Sequence, residues 1–428
     1  QSDKSEIAGS RHATDHPGIN TIRSVHLMPT SDVLPLDVYV GQDFYVPAFR
    51  LMIRGQDVEV QNNNVISVTY EDSLDKIDSF NLTVMNWDAE KRTFKYSDAH
   101  TFDPGQEVEL FMGYYRNGND ELQSMLIGRI TTLSPNFPAA GGPTLTVTGL
   151  NLFDRFRTAQ ITKPFLKATD TQIAQALVQK ITEDLNQDAS VIPKLKLQID
   201  PDDVADNADG EQPLDYVLVN NQYPILFLME RARRIGYELT LEDVSSGLVT
   251  FGFGPTSGVT DPTYVLEWGK TLISLQPHLQ MANQVSQVTV KGWNPTGKAK
   301  FEATVTRAQL AAKSPGIVNP SDVGVNDSAM TQKREIVVDH PIQSQAEAND
   351  LAEKTLLQIG QTLVEAKGKT IGLPGLRAGV KVQIQGLGTR FSGPVGGTPF
   401  SYLITSTTHT IGDGGYTTDF TARMEQTL

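Results

Sequence analysis

The stretch SYLITSTTHTIGDGGYTTDFTARME, residues 401–425, alternates apolar and polar residues on both sides of the turn Gly412–Gly415. A two-residue period around a glycine turn predicts two antiparallel strands with one buried face and one wet face. The apolar side of this hairpin contains Tyr402, Ile404, Tyr416, Phe420, Ala422 and Met424. His409 alternates with threonines on the other parity, which favours a surface position for its imidazole.

This hairpin has a counterpart in the first half of the chain, MLIGRITTLSPNFPAAGGPTLTVTG, residues 125–149. Three further matches precede the hairpins and occur in the same order in both halves. They are VISV (65–68) with LISL (272–275), LTVMNWD (82–88) with VTVKGWN (288–294), and GQEVEL (105–110) with GVKVQI (379–384). Within the hairpins, Leu126-Ile127 is matched with Leu403-Ile404. Four collinear matches predict a duplicated β unit. Trp87 and Trp293 are then expected at equivalent core positions, because large aromatic side chains anchor such cores.

The fold class predicted from these patterns is β-rich α+β, with two duplicated antiparallel β-barrels, a small α+β domain between them and a helical insertion in the second barrel. The predicted division is a flexible N-terminal arm at 1–42, a first barrel at 43–160, a middle domain at 161–262, and a second barrel at 263–428 with its insertion at about 300–368.

Three amphipathic segments are predicted to be helices. Thr169–Asn186 begins with a capping box of Thr169 and Gln172, and Ser344–Ile359 begins with one of Ser344 and Glu347. Pro224–Ile235 starts with proline and is followed by Gly236, the arrangement expected at the two ends of a helix.

The composition limits the classes of function. A chain of 428 residues with 39% hydrophobic and 20% charged residues has the profile of a globular protein, and none of its apolar runs approaches the roughly 20 residues that span a bilayer. A net charge of −14 disfavours binding to nucleic acid or to anionic membranes. The sequence contains no cysteine, which excludes disulfides and thiolate chemistry. The polar start of the chain, which does not begin with Met, is interpreted as a processed or truncated arm.

Two motifs resemble binding sites and fail on inspection. Gly292–Ala299 has the phosphate-loop pattern except that Ala299 replaces the required Ser or Thr, and an extended segment follows it instead of a helix. The acidic run Asp200–Gly210 does not fit a calcium loop, because Ala205 and Tyr216 fall where acidic ligands should be. We therefore predict a strand-to-strand turn for the first motif and a solvated loop for the second.

No catalytic, cofactor or metal residue is predicted. The seven histidines, at 12, 16, 26, 100, 278, 340 and 409, lack metal-ligand spacing apart from the pair His12 and His16, which falls in the polar arm. The chain has no GxSxG nucleophile motif. A pair of catalytic carboxylates of the glycosidase type remains open, because separation in space cannot be read from the sequence.

Several long segments resemble the baseplate hub proteins of contractile phage tails and extracellular contractile injection systems. They are YVPAFRLMIRG, VISVTYEDSLDKIDSFNLTVMNWDAEKRTFKY, FDPGQEVELFMGYY, SPNFPAAGGPTLTVTGLN and IGLPGLRAGVKVQIQGLGTRFSG, together with the C-terminal hairpin. The resemblance runs from about Tyr45 to Glu425 and extends to the phage late control D proteins and the hub part of VgrG.

The resemblance implies two tube-type barrels in each chain and a homotrimer whose six barrels form a ring. Such a ring would join a sixfold tail tube, through its inner tube or tube-initiator protein, to a threefold spike, with further baseplate proteins around it. Assembly in the bacterial cytoplasm as part of a phage tail-like particle is also implied. VgrG-type members continue into a spike after the counterpart of Glu425, so the spike is either a separate protein or a missing C-terminal extension.

The leading hypothesis is thus a non-enzymatic structural hub. A tail-associated cell-wall hydrolase is the alternative from another class. A receptor- or polysaccharide-binding module is a third, for which Tyr114, Tyr115 and Trp268 are the candidate aromatic side chains.

Overall fold

A computed structural model describes residues 36–37, 46–58, 64–116, 119–187, 196–199, 204, 211–245, 248–255, 264–294, 298–313, 318–325, 333–337, 342, 344–397 and 399–425. The fold is β-rich with two large antiparallel strand sets, a middle α+β segment and a helical insertion, which confirms the predicted fold class. No helix among these residues combines the length and the apolar composition needed to cross a membrane.

The first barrel is built from the strands that follow β1 (Leu36–Asp37). They are β2 (Pro47–Ile53), β3 (Gln56–Asp57), β4 (Val65–Ser73), β5 (Ser79–Met85), β6 (Trp87–Asp88), β7 (Thr93–Phe94), β8 (Glu107–Arg116), β9 (Asn119–Asn136) and β10 (Thr144–Asn151). The spatial order of its main strands is β4-β5-β10-β9-β8-β2. Strict alternation of buried and half-buried residues in β5 and β10 places one face of each strand in the core.

The middle segment begins with a short 3₁₀ helix, Leu152–Arg157. It continues with β11 (Ile161–Ala168), α1 (Asp170–Gln187), β12 (Lys196–Ile199), β13 (Leu214–Gln222), α2 (Pro224–Ile235), β14 (Tyr237–Ser245) and β15 (Leu248–Pro255). The predicted capping box of α1 is confirmed, since Thr169 and Gln172 each accept a hydrogen bond from the other's backbone amide. Helix α2 has the predicted bounds and ends at Gly236, whose φ is 73°.

The second barrel and its insertion follow. Their elements are β16 (Tyr264–Glu267), β17 (Leu272–Leu279), β18 (Gln287–Asn294), β19 (Ala299–Thr306), α3 (Arg307–Lys313), β20 (Arg334–Val337), α4 (Gln345–Gln361), β21 (Val364–Ile371), β22 (Lys381–Gln385), α5 (Thr389–Ser392), β23 (Ser401–Gly412) and β24 (Gly415–Glu425). Its main strands run in the order β17-β21-β24-β23-β22-β16. Ser344 caps α4 as predicted by accepting from the amide of Glu347 at 3.1 Å.

The two barrels share the order and the register of five strands, β4-β5-β10-β9-β8 in the first and β17-β21-β24-β23-β22 in the second. The sixth strands differ, because β2 is antiparallel to β8 whereas β16 is parallel to β22. The amide of Gly105 donates to the carbonyl of Ile130 at 2.7 Å, and the amide of Gly379 donates to that of Ile404 at 2.8 Å. Both glycines have φ near 90°, a conformation that other residues rarely adopt. The match of Gly105 with Gly379 is therefore correct, whereas Leu126-Ile127 was matched three residues out of register. The true counterpart of Ile404 is Ile130.

The match between the two tryptophan motifs is wrong. Strand β5, which precedes Trp87, corresponds to β21, whereas Trp293 ends β18 in a separate sheet of order β19-β18-β20. Trp87 is 38% exposed and Trp293 59%, so neither anchors a core. Sequence similarity misled here because Thr and Val are enriched in strands generally, so an apolar-Thr-Val run can recur in strands that are not equivalent.

The insertion accordingly starts earlier than the predicted residue 300. Strand β18 lies before that point, yet it packs with β19 and α4 around its own apolar core, which includes Val288, Val290, Leu351 and Leu356. The extra segment occupies the place between β17 and β21 that a short turn occupies between β4 and β5.

The predicted flexible arm lies outside the described residues except for Leu36 and Asp37. These two residues form β1 and pair in parallel with Tyr264 and Val265 of β16. This part of the predicted arm is therefore a strand at the edge of the second barrel.

Candidate functional site at the joint between the barrels

Strand β23 belongs to both barrels because it changes its partner halfway along. Ser401–Leu403 pair with β22 of the second barrel, and Ser406–Gly412 pair with Ser67–Ser73 of β4 in the first. One continuous ladder thereby joins the barrels, so neither can rotate without breaking backbone hydrogen bonds.

A β-bulge at Thr405 reverses which side chains of β23 face inward. The register with β24 shifts between Ile404 and Ser406, and the Thr405 hydroxyl donates to the carbonyl of Thr421 at 3.2 Å. Before the bulge the buried side contains Tyr402 and Ile404, as predicted. After it, Thr407 and His409 point inward.

His409 is fully buried, so the predicted surface position is wrong. The carbonyl of Leu376 can only accept, so Nε2 carries the proton and donates to it at 3.0 Å. Nδ1 then accepts from the hydroxyls of Tyr416 at 2.9 Å and Thr418 at 3.1 Å. Burial and then the charge of Arg377 lower the pKa of His409 to about 3, which keeps the imidazole neutral. Simple alternation could not reveal this residue because the bulge breaks the period.

Arg377 crosses from the second barrel into the first. Its Nε donates to Asp72 Oδ2 at 2.7 Å, and Nη2 donates to the Tyr70 hydroxyl and to the carbonyl of Met125. The guanidinium lies 4.8 Å from the centre of the Tyr70 ring, within cation–π range. The backbone amide of Ala378 donates to the same Asp72 oxygen at 2.9 Å. One arginine thus satisfies a carboxylate, a phenol and a backbone carbonyl of the other barrel.

Asp78 extends this network towards the middle segment. It accepts from Asn151 Nδ2 at 2.6 Å and from the amide of Ser73 at 3.2 Å. Burial, and then the charge of Asp72, raises the pKa of Asp78 well above its usual range. Asn151 also caps the 3₁₀ helix by accepting from the amide of Phe153 at 3.0 Å. The network therefore reaches the start of the middle segment.

Apolar side chains of the second barrel complete the core of the first. Tyr416 and Ile411 belong to the apolar cluster built around Val68, Tyr70 and Phe80. The rings of Tyr114 and Tyr416 lie 5.4 Å apart, and the Tyr114 hydroxyl donates to the carbonyl of Gly372 at 2.7 Å. The burial predicted for Tyr416, Phe420 and Met424 is confirmed.

A second charged chain ties the middle segment to the second barrel. Arg423 lies 3.7 Å from Glu238 of β14 and 3.2 Å from Glu425, which also pairs with Lys381 at 3.2 Å. Burial raises the pKa of Glu238 to about 7, although Arg423 opposes the shift. A cleft of about 310 Å³ lies beside these groups, where the middle segment, α4 and the second barrel meet.

The motifs rejected on sequence do not come together at the joint. Trp293 and Asn294 of the phosphate-loop pattern pair with Lys300 and Ala299 across a β-hairpin, and the tip, 295–297, lies outside the described residues. Strand β19 follows, as expected for a strand-to-strand turn. The acidic run Asp200–Gly210 falls almost entirely outside the described residues, as do His12, His16, His26 and His340.

Solved structures with a similar fold include two tail proteins and a chain of a PdpA–VgrG complex. The 43 kDa tail protein of prophage MuSo2 from Shewanella oneidensis is 15% identical, with a TM-score of 0.60 over 88% of this chain and 98% of that one. A tail protein from Neisseria meningitidis MC58 is 13% identical, with a TM-score of 0.59 over 89% and 97%. A chain of the Francisella PdpA–VgrG complex is 8% identical, with a TM-score of 0.51 over 91% and 60%. At these identities the likeness concerns the fold.

Comparison with curated protein sequences gives no match. The family model of the Alg8 N-terminal domain matches residues 45–198 and 227–412, which together form most of the chain. These ranges contain the main strands of both barrels except β24, and the Arg377 network that joins the barrels. The protein therefore belongs to the Alg8 N-terminal domain family.

Proposed function

We propose that this protein is the structural baseplate hub of a contractile injection machine or phage tail, in which three copies form a pseudo-sixfold ring. The observation that carries the proposal is the pair of equivalent barrels fused edge to edge within one chain. Three such chains supply six similar barrels, which matches the symmetry of a hexameric tube on one side and of a trimeric spike on the other.

The fold comparisons support this proposal. The two solved structures with the higher TM-scores are described as tail proteins, and this chain covers almost the whole of each. A chain from a PdpA–VgrG complex has the same fold. We propose the corresponding partners for this chain: a spike protein or spike domain, the inner tube or its initiator, and surrounding baseplate proteins.

We propose further that the role is not enzymatic. The buried ionisable groups of the joint are hydrogen-bonded within it, since Arg377 donates to Asp72 while Asp78 accepts from the Asn151 side chain and from the amide of Ser73. Within the described ranges, no group of three His, Asp or Glu side chains is placed to hold a metal ion. The joint has the chemistry of a rigid connection rather than of a reaction centre.

We propose a division with a first barrel from residue 43, a middle domain and a second barrel at 263–428, in which the middle domain starts at 152 instead of 161, because Leu152, Phe153 and Phe156 pack in its apolar core. Leu36 and Asp37, at the end of the predicted arm, join the second barrel through their pairing with β16. The insertion changes from about 300–368 to about 280–363, because β18 belongs to it. We propose that the spike lies at the end of the molecule where β24 finishes, next to Glu425.

Solution mass and particle images test the hub. We expect a mass three times that of one chain and threefold averages with a central hole. A monomer at micromolar concentration, or a dimer, contradicts the proposal. A cell-wall degradation assay on the same preparation tests the hydrolase alternative, which would require activity that disappears when one carboxylate is replaced.

A further inference from the structure

We propose that β9 of one copy docks along β17 of a second copy, in the arrangement that joins β23 to β4 within the chain. The proposal names the surface through which copies associate. It rests on the proposed hub function only for the number of copies in the ring.

The two edges are the structural counterparts of the two edges that already pair. Strand β9 corresponds to β23, and its bulge at Thr131 corresponds to the bulge at Thr405. The Thr131 hydroxyl donates to the carbonyl of Thr148 at 3.3 Å, as that of Thr405 does to Thr421. Strand β17 corresponds to β4, and both carry a register shift after their first residue, at Val65 and at Leu272.

This correspondence gives a defined register between copies. At the joint, Ser406 lies opposite Ser73 and Thr408 opposite Glu71. The same relation places Ser134 of β9 opposite His278 of β17. In the described part of the chain, β9 beyond Ile130 pairs only with β10, and β17 beyond Leu272 pairs only with β21, so the outer edges of these stretches are available.

Apolar side chains are exposed at these two edges. Phe137 is the counterpart of Ile411, which packs on the core of the first barrel, yet Phe137 is 57% exposed. Its ring is 5.1 Å from that of Phe94, which in turn lies 5.3 Å from Trp87. On the other edge, Ile273 is 52% exposed. An exposed apolar cluster of this kind marks an interaction surface.

The same two segments are distinguished by the absence of charged residues. Residues 130–153 and 271–290 contain no Asp, Glu, Lys or Arg, although 20% of the chain is charged. Copies that each carry a net charge of −14 repel one another at short range. Contact through the uncharged edges minimises that repulsion, which favours a second copy as the occupant.

The joint between copies should be weaker than the one within the chain. In the proposed register Pro135 lies opposite Pro277. The equivalent pair in the joint within the chain is His409 and Tyr70. Proline cannot donate a backbone hydrogen bond, so the ladder is interrupted there. Packing of Phe137 must therefore supply a large share of the affinity.

Cysteine cross-linking tests the register, because the protein has no cysteine of its own. Ser134→Cys and His278→Cys are introduced together. Within the chain, the amide of Leu74 donates to the carbonyl of Thr405, so the alternation of the ladder makes Thr408 and Glu71 a non-hydrogen-bonded pair. Ser134 and His278 are the counterparts of that pair, and side chains of such a pair approach closely enough for a disulfide. Mild oxidation should link neighbouring copies and stop at a covalent trimer. Ser134→Cys with Leu166→Cys, which places the second thiol on the 69% exposed residue of β11, should not cross-link.

The outcomes separate this proposal from the hub function. A particle of trimeric mass that does not cross-link overturns the docking of β9 on β17 and leaves the hub. Cross-linking that continues beyond three copies supports the docking and contradicts the closed ring. As a second measurement, Phe137→Ser should raise the concentration needed for half-assembly about tenfold or more. Trp293→Ser is the control, because Trp293 is 59% exposed, about as much as Phe137, and this change should leave the half-assembly concentration as it is. Equal half-assembly concentrations for the two variants overturn the proposal.

Discussion

Glu107 and Lys381 occupy equivalent positions, each two residues after the glycine that opens its strand, and each is buried against a partner of opposite charge. Glu107 lies 3.6 Å from Arg155, and Lys381 lies 3.2 Å from Glu425. The duplicated barrels thus keep a buried ion pair at one position while reversing its sign. Desolvation makes such a group costly when its partner is missing, so a change of charge at this position requires a change in the partner too.

Lys381→Met should lower the free energy of unfolding by about 3 kcal/mol, because within the described ranges it leaves the buried Glu425 paired with Arg423 alone. Lys369→Met on β21 is the matched control, since its pair with Asp419 is partly exposed and should contribute less than about 1 kcal/mol. Urea unfolding of both variants measures the difference. Equal midpoints would show that the buried pair adds no stability.

Arg377→Leu should destabilise the joint by about 3 to 5 kcal/mol, because Asp72 and the Tyr70 hydroxyl lose their buried donor. Arg377→Lys should recover only part of the loss, since an ammonium cannot reproduce the fork of the guanidinium. Arg233→Leu removes an exposed pair with Asp75 and serves as the control. Thermal unfolding measures the effect, and the unfolding temperature should be lowest for Arg377→Leu, intermediate for Arg377→Lys and highest for the wild type. An Arg377→Leu variant as stable as the control would contradict the assigned role.

Glu238→Gln should stabilise the protein at alkaline pH. Burial raises the folded-state pKa of Glu238 from 4.5 to about 7, so the ionised carboxylate is unfavourable in the native protein. The stability of the wild type relative to the variant is therefore greatest below pH 4.5 and falls as the pH rises to about 7, by up to about 3 kcal/mol. Urea titrations at pH 5 and pH 8 measure this difference. A difference that stays constant with pH would contradict the assignment to Glu238.

Deletion of residues 401–428 should abolish folding of the second barrel. It removes β23 and β24 and leaves β21, β22 and β4 each with one unpaired edge, so we expect aggregation. Deletion of residues 426–428 alone is the control and should leave the unfolding midpoint unchanged. Solubility and circular dichroism distinguish the two. A 401–428 deletion that still assembles would show that the hairpin is dispensable.

Local chemistry explains which elements could be predicted. The Thr169 capping box, Pro224 and Gly236 act within one turn of their own helix, so those helices have the expected bounds. Gly105 and Gly379 both need positive φ to start a strand, and this requirement makes them reliable markers of the repeat. Trp87 and Trp293 satisfy no such local requirement, which is why their similarity did not report equivalent positions.

By itself, the sequence determined the strands, the turns, the helix caps and the existence of a duplication, because each depends on residues close together along the chain. Only the tertiary structure decided that β21 rather than β18 completes the second barrel, that the bulge at Thr405 turns His409 inward, and that Arg377 reaches Asp72 in the other barrel. The physical reason is that strand pairing and burial depend on partners far away in sequence. A shift of one residue at a single bulge exchanges the faces of every side chain that follows it.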